Sequence, residues 1–332
     1  MQATNTLKRL VLWLGAAGGA GLILAADTEA ADLFEPYVTL AASETSGLNR
    51  ETSGALGMRY WYSTGETAKD LFAYGGGGPV SRLTYDGLNA HSVELFGQVT
   101  HNRLFAKGLA GAGWVLKGSL RDEDFPPYIN PYSSTDSDQE DGNLYYASVD
   151  AGGYVWQQQN FRFGAFAGYS FFRQNVHAFG CVQEATSTIC APALPASTKV
   201  ISQENDWHGV RLGVTAEAEL GGRWLFSGEA AFLPYAWLDG ADSHHLRICT
   251  TPGCFNGDIE EDGSGWGYQL EAGIAYRVSE SFRIGLGGRY WHMQTSGKTH
   301  FENAIVGFAA RPQPVDWEVD IYGITAEAAF TF

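Results

Sequence analysis

Apolar and polar residues alternate one by one through most of this chain. In WGYQLEAGIAYRV (266–278), Trp266, Tyr268, Leu270, Ala272, Ile274, Tyr276 and Val278 share one parity, and Gly267, Gln269, Glu271, Gly273, Ala275 and Arg277 share the other. A strand sends successive side chains to opposite faces. The stretch therefore predicts a strand with an apolar face bounded by aromatic or β-branched residues and a second face that mixes glycine with charge. DIYGITAEAAFTF (320–332) repeats the pattern on Tyr322, Ile324, Ala326, Ala328, Phe330 and Phe332, and the sequence stops on that aromatic.

Connections between such stretches fall into two classes. Short ones are expected near 101–103, 158–160, 221–223 and 279–281, and long ones near 64–80, 120–142, 178–204, 239–264 and 298–315. Short and long alternate strictly, and they bracket an even number of strands. A membrane barrel has short turns at one end and long loops at the other, and closure satisfies every backbone hydrogen bond, as lipid requires. The expected fold is all-β: a ten-stranded antiparallel transmembrane β-barrel. Its strands read as ~12–18 residues against the ~9–11 that cross lipid, so it should extend above the outer membrane.

Residues 1–31 combine a short cationic start at Lys8 and Arg9, a Gly/Ala-diluted apolar core and small residues around Ala30 and Ala31. That pattern predicts a secretory signal peptide. Residues 32–54 fit no strand count and read as an N-terminal periplasmic arm, which leaves 55–332 for the outer-membrane barrel. No other apolar run approaches the ~18 residues of a membrane helix. Aromatics make up 14% of the chain and the formal net charge is −16. This balance argues against nucleic acid and favours cationic peptides or proteins as partners. Cysteines 181, 190, 249 and 254 come in two close pairs. Bridges Cys181–Cys190 and Cys249–Cys254 are the simplest of three connectivities for an exported chain. A zinc site drawing on His208 or His245 lacks the C-x-x-C spacing, and no metal site is expected.

Residues 118–142 hold seven carboxylates in 25 positions. With the expected topology they lie at the outer end of the third strand. Asp122 and Asp124 are two apart, as are Asp242 and His244 at the outer end of the seventh. Positions i and i+2 share a strand face ~6.5–7 Å apart. If both pairs face across the mouth, a water between them could be activated. His244 would take its proton, Asp242 would orient the ring, and the two aspartates opposite would position the water. Solvated loop acids and a surface histidine are the plain alternative. His292 and His300, near another strand end, have no Asp two residues before them. Asp136, Asp138 and Asp141 are hard oxygen donors for calcium but lack an EF-hand spacing.

Here the chain resembles the omptin family of outer-membrane proteases, in strand count, loop asymmetry and terminal Phe over 55–332. Asp122-Glu123-Asp124 matches the family's Asp-x-Asp, and Asp242-Ser243-His244 its Asp-x-His. Asn130-Pro131 and Thr135-Asp136 follow at omptin-like offsets. The resemblance implies cofactor-free endoproteolysis of basic peptides by Asp122, Asp124, Asp242 and His244, with Asp136 shaping the substrate groove. It also implies lipopolysaccharide dependence, with Tyr169 and Arg173 as lipid-binding residues. Two positions depart from the family: Lys69 and Gly240 stand where omptins carry acids for a basic side chain. The alternative is a non-catalytic barrel of the same shape, serving as adhesin, receptor or structural wall protein. Strict alternation raises a further difficulty. Leu104, Trp114, Leu116 and Leu120 share parity with Asp122, and Trp224, Phe226 and Phe232 with His244. Both pairs then point outward unless each strand carries a bulge, for which Gly118, Pro234 and Gly240 are the candidate places.

Overall fold

The computed structural model describes residues 48, 50–73, 75, 77–125, 130–247, 254–255, 257–301, 304–305 and 312–332. All lie in the unit that runs from Glu44 to Phe332. The expected signal peptide, most of the expected arm and the Cys249–Cys254 bridge fall outside the described residues.

Ten long strands close into a barrel. They are β1 (Thr52–Phe72), β2 (Pro79–His101), β3 (Leu104–Asp124), β4 (Ser133–Gln158), β5 (Phe161–Gln183), β6 (Leu194–Leu220), β7 (Trp224–His244), β9 (Ile259–Ser279), β10 (Phe282–His300) and β12 (Gln313–Thr331). Each pairs antiparallel with its neighbours, and β1 pairs with β12 to complete the ring. Two-residue strands β8 (Cys254–Phe255) and β11 (Ala304–Ile305), in two long connections, pair with each other. β1 begins at Thr52, three residues before the expected start, and Gly54 and Phe332 exchange backbone hydrogen bonds.

The turns at one end are tight, as expected. Asn102 takes φ 55°, and Gly221 and Gly222 take φ 59° and 70°, the left-handed backbone that favours Asn and Gly. The strands differ from expectation. They run 19 to 27 residues, and within the acid-rich stretch 118–142, residues 118–124 and 133–142 are strand. Pairing explains this. Ladder bonds persist between polar residues wherever both neighbours continue, so β3 and β4 stay in register from Leu104↔Gly153 to Asp124↔Ser133.

Outward residues near the turns form a band fit for lipid. Leu95, Val149, Leu212, Leu286 and Ile324 are among those exposed in it. Aromatic pairs mark its lower edge: Trp156 with Phe161, Trp224 with Tyr276, Phe282 with Phe330. Tyr60, Trp114, Tyr169, Tyr235, Trp266 and Tyr322 mark the upper edge. On β9 the edges at Trp266 and Tyr276 are ten steps apart, which matches the ~9–11 residues of a tilted spanning strand. The remaining strand lengths stand clear above the band.

Inside the band the lumen is filled by ion pairs. Arg59 contacts Glu94, Glu271 and Glu327 at 3.0, 2.8 and 2.9 Å. Arg289 contacts Glu94 and Glu271 at 2.7 and 2.9 Å. Arg211 contacts Asp150 and Glu229 at 3.1 and 2.6 Å. Above them Trp61, Tyr146, Phe172 and Trp291, from four strands, meet edge to face with centroids 5.0–5.9 Å apart. Leu144, Trp207, Leu233, Met293 and Trp317 continue this core toward the mouth. A lumen packed in this way has a solid floor beneath the mouth.

The Arg289→Met substitution leaves the buried Glu94 and the half-buried Glu271 to Arg59 alone and should cost about 3 kcal/mol. Urea unfolding of the reconstituted barrel measures this cost. Adding Glu94→Gln should recover part of it.

Candidate functional site

Two bulges set the geometry of the mouth. On β3, Val115 pairs with Ala90 while Lys117 pairs with Asn89, so one residue of β3 is extra against β2. Leu116 and Lys117 both face outward, and from Gly118 on the inward parity is even. Leu120 is accordingly buried, where strict alternation would expose it. β2 bends at the same level through Gly87, at φ 60°. A Cβ on Gly118 would lie 2.9 Å from the Asp86 carbonyl, so the tight approach needs glycine. On β7, Leu233 pairs with Gly267 and Ala236 with Gly265, so one residue is again extra. Pro234 and Tyr235 both face outward, and the inward parity changes from Leu233 to Ala236. Of the three expected bulge places, the structure uses those at Gly118 and Pro234; Gly240 lies within regular pairing.

After the slips, Asp122, Asp124, Asp242 and His244 all share the inward parity at the mouth end of their strands. His244 Nε2 lies 3.1 Å from Asp242 Oδ2. The same oxygen accepts from Lys69 Nζ at 2.6 Å, and Lys69 also donates to Glu261 Oε1 at 2.9 Å. Lys69, Asp242 and Glu261 are all buried. Thr299 and Gln203 complete the hold on Glu261 at 3.2 Å each. The Asp242 Oδ1 and the Tyr85 hydroxyl, also buried, have no protein partner among the described residues.

The charges act on one another across the mouth. Burial raises the Asp122 carboxyl to about 6; Asp124 adds to the rise, while His244 and Lys69 oppose it. Burial likewise raises Asp124, against Arg247 and hydrogen bonds from Ser81 and Tyr132. Burial opposes a charge on Asp242, but His244 and Lys69 outweigh it and hold this carboxyl below the usual range. For His244, burial opposes the charged ring, yet Asp242 and then Asp122 hold its pKa above the ordinary value, with Lys69 pulling the other way.

Other sequence-predicted residues lie elsewhere. Asp136 faces outward, because its neighbour Thr135 takes the inward position opposite Asp122. Its carboxylate is paired with Arg121 at 2.9 Å on the outer wall, away from the mouth. Tyr169 and Arg173 share the outward face of β5 at and above the upper edge of the band. The Tyr169 hydroxyl lies 2.5 Å from His208 Nδ1, and Arg173 is paired with Asp206. Cys181, near the end of β5, and Cys190, in the connection that follows, form the expected bridge. A cleft of about 580 Å³, lined by Glu66, Arg82, Asp86, Arg121, Asp136 and Leu194, also opens on the outer wall; the mouth residues do not line it. Glu261 was not foreseen, though the inward parity of Gln269 and Glu271 extends directly to it.

A ten-stranded barrel with two aromatic edges, an apolar outer band and a packed lumen is an integral outer-membrane protein. Comparisons agree. Residues 69–332 match the model of the Protochlamydia outer membrane protein family, and the chain belongs to that family. No curated protein matches the sequence. Among solved structures, the outer membrane protease OmpT from Escherichia coli is 16% identical, with a TM-score of 0.67, over 84% of this chain and 97% of that one. The outer membrane protein OprG from Pseudomonas aeruginosa is 11% identical, with a TM-score of 0.35, over 87% of this chain and 99% of that one. At these identities the likeness to OmpT is one of fold. The protein is located in the bacterial outer membrane.

Replacing Asp122 by Asn tests the mouth electrostatics. Its folded pKa lies above the unfolded one, so ionising Asp122 destabilises the fold as pH rises through that window. The Asn variant should resist urea better than the parent at pH 8, and the difference should vanish below about pH 4. Equal midpoints at pH 8 would mean that Asp122 is fully solvated.

Proposed function

We propose that this barrel is an omptin-like endopeptidase acting on basic peptides at its mouth. The observation that carries this reading is the inward His244–Asp242 pair at 3.1 Å, in electrostatic contact with Asp122. With Nε2 held by Asp242, the neutral His244 ring would act as the base that takes a proton from water. Asp242 fixes the ring and stabilises the imidazolium that forms, as a buried carboxylate does for a general base. Asp122 and Asp124 would hold the water against the scissile carbonyl. The aromatic core beneath gives this chemistry a dry floor. The net charge of −16 would draw cationic chains toward the mouth.

Specificity should differ from that of a simple acidic pocket. The Lys69 ammonium already occupies the carboxylates of Asp242 and Glu261. A substrate's Lys or Arg would therefore meet the rim acids and not a vacant buried acid. The same ion pair favours a second reading, a non-catalytic adhesin, receptor or wall protein in which Asp242 is a structural partner of Lys69. Lipopolysaccharide binding through Tyr169 and Arg173 is a weaker part of the proposal, because Asp206 neutralises Arg173.

The two readings separate in a peptide-cleavage assay on the reconstituted protein with lipopolysaccharide present. The protease reading expects hydrolysis that Asp122→Ala and His244→Ala each reduce by about 10²–10⁴-fold. Absence of cleavage, or cleavage that survives in either variant, favours the non-catalytic barrel. Activity should fall as pH drops through the raised His244 pKa, because the neutral ring is the base. Lys69→Met combined with Glu261→Gln removes a cation that lowers that pKa, so the acid limb should move to higher pH.

A further inference from the structure

A second cluster, on the outside of the wall, is independent of the mouth. At the upper aromatic edge, one row of outward positions crosses four strands: Tyr268, His292, Asp320 and Glu66 are successive register partners on β9, β10, β12 and β1. Glu318 lies two residues from Asp320 on the same outward face. His292 Nδ1 is 3.1 Å from Asp320 Oδ1 and 3.9 Å from Glu318 Oε1. These three donor atoms all lie within 4.8 Å of one another.

The row carries more negative charge than its neighbours neutralise. Glu66 stands directly opposite Asp320, and like charges in that position destabilise a sheet. Among the described residues no Lys or Arg forms an ion pair with Glu66, Asp86, Glu318 or Asp320; only His292 pairs with the last two. A small multivalent cation would relieve this arrangement.

We propose that His292, Asp320 and Glu318 form a zinc-type divalent metal site on the outer wall at the level of the lipid headgroups. Tetrahedral zinc with bonds of about 2.0–2.2 Å holds its ligands about 3.4 Å apart, close to the spacings found here. The ligands are also supported from behind. His292 stacks on Tyr268 with centroids 4.9 Å apart, and Trp266 lies at 5.6 Å. The Tyr290 hydroxyl donates to Asp320 Oδ1. Such partners fix the orientation of ligating His and carboxylate groups. Three protein ligands leave the fourth position open, facing outward.

The test is calorimetric titration of the untagged, reconstituted full chain with Zn²⁺ alone. The expected result is one saturable site per chain. Glu318→Gln, at an exposed position, and Asp320→Asn should each weaken it at least tenfold, and X-ray absorption should show mixed nitrogen and oxygen ligands near 2.0–2.1 Å. His244→Ala should leave the affinity unchanged. No saturable binding, equal affinity in Glu318→Gln and Asp320→Asn, or loss of binding in His244→Ala would each overturn the proposal.

Discussion

The side-chain period of a strand is two, and the mouth of this barrel depends on that period being broken twice. One extra residue at Leu116–Lys117 and another at Pro234–Tyr235 reverse the parity of β3 and β7 above the membrane band. Below each bulge the outward positions carry Leu104, Trp114 and Phe226. Above it, the same numerical parity carries Asp122 and His244 into the lumen. A slip in only one strand would leave a carboxylate pair without its histidine, or the reverse. Bulges make this exchange cheaply, because the ladder resumes on both sides and only one residue is left unpaired.

The layers beneath explain why the mouth can hold charged groups at short range. In the band, acids and bases are interleaved around the inner wall, so Arg59, Arg211 and Arg289 each meet two or three carboxylates. Over them lies the Trp61–Tyr146–Trp291–Phe172 layer, which Arg289 supports from below at 4.8 Å from the Trp61 ring. The lower ion pairs are thus separated from the Lys69–Asp242–Glu261 group by packed hydrocarbon. That separation leaves Asp242 to be shared between Lys69 and His244 alone. The division of one carboxylate oxygen between an ammonium and an imidazole is the feature on which activity or inactivity of the mouth depends.

Much of this was legible in the sequence. Alternation such as that of 266–278 gave the strands, and the two classes of connection gave their number and direction. Strand length was underestimated because polar alternation looks like loop: 120–142 reads as a long connection, yet Asp136 and Asp138 continue the β3–β4 ladder. The bulges could be demanded from the parity conflict and narrowed to a glycine or a proline, but the choice of Pro234 over Gly240 depends on register with β9, which no local pattern carries. The reach of Lys69 across the lumen to β7 and β9 was equally invisible, since it depends on ring closure bringing distant strands face to face. Asp136 shows the limit of carrying over a motif, because a one-residue difference in phase moves a groove residue to the outer wall.

The central claim is that β3 and β7 turn their pairs toward each other. Proton NMR of the His244 ring tests it most directly, by comparing the titration midpoint in the parent with that in Asp122→Asn. The account predicts a parent midpoint above the ordinary histidine value of 6.5 and a lower one in the variant, because a facing carboxylate is gone. An unchanged midpoint would contradict it, placing Asp122 out of electrostatic reach of His244.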